Sequence, residues 1–455
     1  MKTNVKRISL LLVVFMLIAV FATGCGSSKP AGSKAETEKA ANVQTQTEKK
    51  EEAPKQEIVL KLLSQKSSWE EARNGELAKA FTAKTGIKIE PEIVPDGAEG
   101  ENIIKTRYAT NEMPDLQFYY TGGMMYPLNP EQNFLDLTNE PYMANIDDSF
   151  KKVATFKGKV YSIPQTPASF GVWFYNKKIY SDLGLQVPKT WAELMANCEK
   201  IKGAGKVPIV APYKDSWTAQ LIVLENHFYV TKANPTFSDD YTANKLKLVN
   251  VPEYIKGWER LQEVYKKGYL NKDFLSMMYD SGIKAFIDGT AAHFPMGSWV
   301  IPTIADKYPD KVNDIGAFAQ PSDDPNVNGM TIWLPWGVYA TKTGKNLDAS
   351  KQFLEFYISK EGIAAYSSKV GPSGVFLVKG VEMPSNLYPS IADGIQYVNS
   401  GNVHPAMEFE SPIKPASQPQ ICVEVGSGQI TPIEGVKKMD NEGEKFAKTS
   451  KLPGW

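Results

Sequence analysis

Cysteine and histidine are both scarce, at three of each in 455 residues. Cys25, Cys198 and Cys422 are too far apart for a disulfide framework, and no Cys-x-x-Cys pair or Cys/His cluster has the spacing of a zinc site. His227, His293 and His404 each stand alone in the sequence, which argues against metal-centred or histidine-based catalysis. Neither a metal nor any other cofactor is expected. A charge surplus is missing as well: 51 Lys and Arg balance 51 Asp and Glu. The basic stripe of a nucleic-acid binder is therefore absent, and nucleic acid is not an expected partner. Beyond Phe21 no apolar run approaches the roughly 18 residues of a membrane-spanning helix. What the chain does have is 42% hydrophobic and 11% aromatic residues, enough for a large core in two or three domains.

The zero charge is a sum over unlike regions. Residues 1–24 carry Lys2, Lys6 and Arg7 and no acid, and Ile8 to Phe21 is a fourteen-residue run whose only polar member is Ser9. This is the pattern of a signal peptide, too short for a comfortable membrane span. It ends in Ala22-Thr23-Gly24-Cys25, which resembles the lipobox of bacterial lipoproteins, with Ala22 in place of the usual Leu. Cys25 would then be lipidated and become the mature N-terminus. Residues 26–56 are mostly Ser, Gly, Ala, Thr, Gln, Lys and Glu, with Val43 the only large apolar side chain. Such a composition cannot offset its ordering entropy by burial, so 25–56 is expected to be a disordered tether behind the lipidated cysteine. With six Lys and five Glu in the tether, residues 57–455 hold 42 basic against 46 acidic residues. A mildly acidic body has no electrostatic pull towards an anionic membrane, so proximity to one would rest on Cys25.

The body opens as strand, helix, strand. Ile58 to Leu63 is almost continuously apolar, as for a strand covered on both faces. Ser68-Trp69-Glu70-Glu71 has the form of a capping box, and Gly86 falls where a left-handed C-cap is wanted. Ile87-Lys88-Ile89 begins the next strand. In such a unit the ligand side lies beyond the carboxyl end of the first strand, at Ser64 to Trp69. Asp115 to Tyr120 reads as a further buried strand that delivers Tyr119 and Tyr120 towards the same place, one facing the core and the other away from it.

The densest signal lies in the next region. Gly158 to Pro164 (Gly-Lys-Val-Tyr-Ser-Ile-Pro) is followed by Tyr175-Asn176-Lys177 and by Pro188-Lys189-Thr190-Trp191-Ala192-Glu193-Leu194. The last of these introduces a helix with a Thr190 to Glu193 capping box, along which Leu194, Met195, Cys198 and Ile201 share one face, so Cys198 reads as an apolar filler. Further on come Phe286 to His293 with Met296-Gly297-Ser298-Trp299, then Trp336 to Ala340 with Asp348 to Phe356, and finally Thr431 to Val436. In order and spacing this succession resembles the family 1 extracellular solute-binding proteins of bacterial ABC importers, the group that includes maltose-binding protein. The resemblance runs from about Glu57 to Lys448, with Ile433 and Gly435 departing from the family's C-terminal helix motif.

The resemblance implies an α/β, two-lobed periplasmic-binding-protein-like fold of type II, with a hinge and an interlobe ligand cleft. Crossings at Gln165-Thr166, Ala319-Gln320 and Gly344-Lys345 would give a first lobe of 57–164 plus 319–344 and a second of 165–318 plus 345–455. It also implies capture of a solute by lobe closure and delivery to the transmembrane subunits of an ABC permease, by a monomer anchored through its lipid to the extracellular face of the cell membrane. Sugars present apolar C–H faces and dense hydroxyl edges, which aromatic rings and planar polar groups match. Of nine tryptophans, Trp191 and Trp258 sit in helical patterns, whereas Trp69, Trp217, Trp299, Trp333 and Trp336 fall at strand ends or beside Gly and Pro. With Tyr120, Gln165, Asp215 and Ser298 they form the expected ligand set for a carbohydrate of oligosaccharide length, with Gln65 and Lys214 as further polar companions. Asp215, beside Trp217, is the strongest polar candidate. No catalytic residue is expected, since neither Gly-x-Ser-x-Gly nor His-Glu-x-x-His occurs. The alternatives are a non-sugar solute, a sensory receptor of the same fold, and a secreted glycoside-active enzyme with two carboxylates.

Overall fold

The computed structural model describes residues 57–455; the expected leader, Cys25 and tether lie outside the described residues. The apolar run after Ile58 forms the strand Val59–Gln65, in which Leu60, Leu62 and Leu63 are fully buried. It lies in parallel between Lys88–Val94 and Leu116–Tyr119. Gly337–Ala340 then adds antiparallel to Leu116–Tyr119, and Ile163–Pro164 closes that edge. The helix Glu76–Thr85 links the first two strands and ends at Gly86, whose φ of 75° and N–H bond to Thr82 O make the expected left-handed cap.

The entry to that helix differs from expectation. Ser68 caps nothing: its carbonyl accepts from Asn74 Nδ2 (3.1 Å) and Gln165 Nε2 (2.8 Å). A 3₁₀ turn, Lys66–Ser68, and a π turn, Glu71–Gly75, replace the expected helix start, and the tertiary demand on the Ser68 carbonyl outweighs the local box. The second expected box, at Thr190, forms in part, and a complete box not expected from the sequence forms at Thr431. Thr190 accepts from Glu193 N while the Glu193 carboxylate takes Lys189 N, and Thr431 and Glu434 cap each other at the start of Pro432–Thr449.

The second sheet is built on the nine-residue strand Ala168–Asn176, whose first seven residues are buried. Ala291–Gly297 and then Val207–Ile209 lie on one side of it, and Met330–Trp333 and then Val403–Pro405 on the other. Ile315–Phe318 and Gly374–Val375 pair with its two ends. The helices Trp191–Gly203, Pro252–Lys266 and Pro432–Thr449 surround a core containing Trp173, Leu194, Cys198, Trp258 and Leu261. Trp191 and Trp258 are buried there, and burial pushes the Cys198 thiol upward, as suits a filler. His293 is fully buried between Tyr180 OH (2.7 Å) and Pro208 O (2.8 Å); burial lowers its pKa to about 4, so it is a neutral core residue.

Sheet membership moves two of the three expected crossings. Gln165 to Pro167 does join the sheets, since Ile163–Pro164 belongs to the first and Ala168–Asn176 to the second. Ala319-Gln320 does not, because Gln320 is buried within the second half, accepting from Trp173 Nε1 and donating to Ile222 O. The chain crosses instead between Trp333 and Gly337, so the expected segment 319–344 is divided between the halves. Nor does Gly344-Lys345 cross, because Lys345 N is held by Asp115 Oδ1 at 3.0 Å. The helices Leu347–Tyr357 and Lys360–Tyr366 pack on the first sheet, with Phe353, Leu354 and Tyr357 in its core.

Candidate functional site

Two glycines face each other on adjacent strands of the second sheet, Gly171 opposite Gly297. Both are required by what lies over them. A Cβ on Gly297 would come 2.0 Å from the Trp299 ring, and one on Gly171 would come 2.4 Å from the Trp333 ring and 2.9 Å from Glu225 Cγ. The glycines thus clear a floor on which Trp299 and Trp333 meet edge to face, with centroids 5.7 Å apart and planes at 86°. Trp217 stands 6.4 Å from Trp299 and 5.0 Å from Tyr279. All three tryptophans are only partly buried.

The polar groups here are the informative part. Glu225, at the end of the helix Leu221–Glu225, is 1% exposed, and neither carboxylate oxygen has a hydrogen-bond partner among the described residues. Burial alone pushes its carboxyl well above the usual range and so favours the protonated form, which can donate as well as accept. Gln220 Oε1 is likewise buried without a partner. Groups of this kind cost roughly 1–3 kcal/mol each when left unpaired and are expected to have a use.

The first sheet supplies a second aromatic set in a different condition. Tyr120 and Trp336 lie with centroids 4.1 Å apart, and Trp69 stacks on Phe118 at 6.3 Å. Tyr119 is the member of its pair that enters the core, as the alternation of a strand requires. Gln65 donates to Glu101 Oε1 (2.7 Å), and Tyr119 OH donates to Glu101 Oε2 (2.5 Å). Trp69 Nε1 donates to Glu71 at 3.3 Å. The turn carrying Trp69 reaches the second half directly: Ala72 packs against its core, and Glu70 adds to burial in pushing the Tyr279 hydroxyl upward. Arg73, 2% exposed, lies in the same turn, donating from Nη1 to Tyr366 OH (3.2 Å) while Nη2 has no partner among the described residues.

A family model described as bacterial extracellular solute-binding protein matches residues 76–374. The chain belongs to this family. The solute-binding protein is 26% identical over 310 residues to the multiple sugar-binding protein of Streptococcus mutans, covering 66% of this chain and 70% of that protein. It is 25% identical over 301 residues to the maltooligosaccharide ABC transporter solute-binding lipoprotein of Streptococcus pneumoniae, covering 63% and 65%. A solved chitin oligosaccharide binding protein superposes with a TM-score of 0.71 at 22% identity, over 86% of this chain and 98% of that one, and establishes the two-lobed α/β fold.

The expected site residues of this solute-binding protein divide into three sets. Trp217, Trp299 and Trp333 gather on the glycine floor, and Trp69, Tyr120 and Trp336 form the first-sheet group. Gln165, Ser298 and Asp215 are structural ties. Gln165 donates to Ser68 O and its own carbonyl accepts from Tyr357 OH. Ser298 Oγ accepts from Phe170 N (2.8 Å) and donates to Ser373 O. Asp215 Oδ2 accepts from Tyr279 N (2.7 Å) and so places Tyr279 against Trp217. Lys214 is exposed. Glu225, Gln220 and Arg73 were not legible in the sequence, because each sits in an ordinary helical or turn context. Only the absence of partners after folding sets them apart.

Proposed function

We propose that this protein captures a carbohydrate, of oligosaccharide length, between its two lobes and delivers it to the transmembrane subunits of an ABC importer. The single observation that carries the reading is the glycine-floored group of Trp217, Trp299 and Trp333 beside the buried carboxyl of Glu225, which has no partner among the described residues. Rings supply area for the apolar faces of a sugar, and a buried neutral acid supplies a hydrogen bond to a hydroxyl without the cost of a buried charge. The names of the Streptococcus relatives point to the same solute class. Closure of the lobes is the mode of capture: the turn 66–75 already touches both halves. The protein works outside the cell, held at the membrane as a monomer by lipid on Cys25 and the tether 26–56, a mode that fits the lipoprotein relative.

Titration calorimetry and tryptophan fluorescence against a panel of mono- and oligosaccharides test the solute. A micromolar or tighter saccharide with quenched or shifted emission is expected. Binding of an amino acid, phosphate ester or polyamine with no response to any sugar would overturn it. For the anchor, cells fed an alkyne-palmitate should label the wild-type protein. Labelling of Cys25→Ser at the same level, without release of that variant to the medium, would remove that part of the reading.

A further inference from the structure

The histidines stand alone in the sequence, yet two of them meet in the fold. His227 opens the buried start of the helix His227–Ala233, and His404 lies on the edge strand Val403–Pro405, paired with Thr331. Their ring centroids are 5.8 Å apart. Glu410, just past the turn Met407–Phe409, reaches both: Oε1 lies 3.0 Å from His404 Nε2 and Oε2 lies 3.4 Å from His227 Nε2. One ligand atom from each of the three residues falls within 4.8 Å of the others. Ser238 Oγ donates to Glu410 Oε2 at 2.9 Å and fixes the carboxylate, as an outer-sphere partner of a ligand would.

These lengths suit a metal ion. Nitrogen and oxygen ligands held tetrahedrally at about 2.0–2.2 Å from zinc stand about 3.3 Å from one another. His404 Nε2 and His227 Nε2 approach different oxygens of Glu410, at 3.0 and 3.4 Å, so a single ion would lie between the two imidazoles and against both carboxylate oxygens. Two imidazoles and one carboxylate select zinc and its neighbours over calcium or magnesium, which prefer oxygen throughout. The site is also reachable: His404 and Glu410 keep 30% and 21% of their side-chain surface exposed, while His227 keeps 5%.

The segment that follows His404 has a second role. A Cβ on Gly122 would come 3.1 Å from Glu408 O, and one on Gly123 would come 2.5 Å from Pro412 Cα, so the loop after Tyr120 packs backbone to backbone on 407–412. Glu408 is itself paired with Lys414. We propose that His227, His404 and Glu410 bind one divalent transition cation of the zinc type, which braces the segment 407–412 against which the first lobe closes. The cation site stands on the three side chains alone, whereas the bracing rests on the reading of lobe closure around a solute.

The full-length protein, stripped with a chelator, is titrated with zinc chloride and, for a spectroscopic signature, with cobalt chloride. One equivalent of cobalt should give the visible absorption of a tetrahedral nitrogen and oxygen site, and zinc should displace it. His404→Gln and Glu410→Gln, both on partly exposed residues, should weaken zinc binding by about 100-fold or more while leaving the circular dichroism unchanged. Absence of the cobalt band, or equal zinc affinity in both variants and wild type, overturns the site. No solute is needed for that arm, so its failure is distinct from failure of the proposed function. With the tightest saccharide of the panel, zinc should strengthen binding at least threefold in wild type and not in His404→Gln. Equal affinity with and without zinc overturns the bracing.

Discussion

The two walls of the candidate site are built from the same kinds of residue and differ in what those residues have left to give. On the first-sheet side, Gln65, Tyr119 and Trp69 spend their hydrogen bonds on Glu101 and Glu71, and Trp69 and Tyr120 rest on Phe118 and Trp336. On the second-sheet side, both oxygens of Glu225, which lies with the Trp333 ring over Gly171, have no partner among the described residues. Arg73 Nη2, in the turn that carries Trp69, is the exception on the first side; groups with their bonds spent offer mainly shape, and unsatisfied ones offer directed bonds. The second sheet should therefore hold the solute, with the first sheet acting as the surface that covers it.

That contrast can be broken most directly on the glycine floor. Trp299→Ala and Trp333→Ala should each weaken binding of the tightest saccharide by about 2 kcal/mol, roughly 30-fold, as buried aromatic anchors do. Calorimetry on the two variants decides, and a loss below threefold in both would mean that the rings are packing only. Gly171→Ala comes next: the new methyl must displace the Trp333 ring and crowd Glu225, at a cost of about 1–2 kcal/mol seen in affinity and thermal midpoint together.

Glu225→Gln sharpens the comparison through pH. The native carboxyl, pushed up by burial, holds its proton, whereas the unfolded chain releases it near pH 4.3 or so. The folded state then binds more protons than the unfolded one, so stability falls as pH rises above that value. In the ligand-free variant the fall should be shallower and stability at pH 7 higher, while saccharide affinity should stay within about threefold, because the amide keeps a donor and an acceptor in place of the neutral acid. Urea midpoints measured from about pH 4.5 to 7.5 provide the check, and superimposable profiles for variant and wild type would mean that Glu225 is charged in the native state. The smallest effect is expected from Trp336→Phe on the covering wall, within about threefold in affinity, because the aromatic contact with Tyr120 is kept. A larger loss there than at Trp299 would reverse the assignment of the walls.

Much of this architecture is readable along the chain because it depends on near neighbours. The apolar run after Ile58, Gly86 as a helix stop and the buried face carrying Leu194 and Cys198 all follow from periodicity and local hydrogen bonds. The Ser68 box failed for the complementary reason: a distant side chain, Gln165, claimed the carbonyl the turn needed. The crossings at Ala319 and Gly344 were misplaced in the same way, since Gln320 and Lys345 are held by Trp173 and Asp115 from remote segments.

The sequence by itself determined the supply: an α/β fold, a surplus of indoles near strand ends, and a family membership. Only the tertiary structure decided the use of that supply. Strand register set Gly171 opposite Gly297 and so gathered Trp299 and Trp333; helix docking left Glu225 without a partner; sheet pairing brought His404 beside His227. The physical reason is that hydrophobic pattern and capping act over a few residues, whereas whether a polar group is satisfied depends on everything that packs around it.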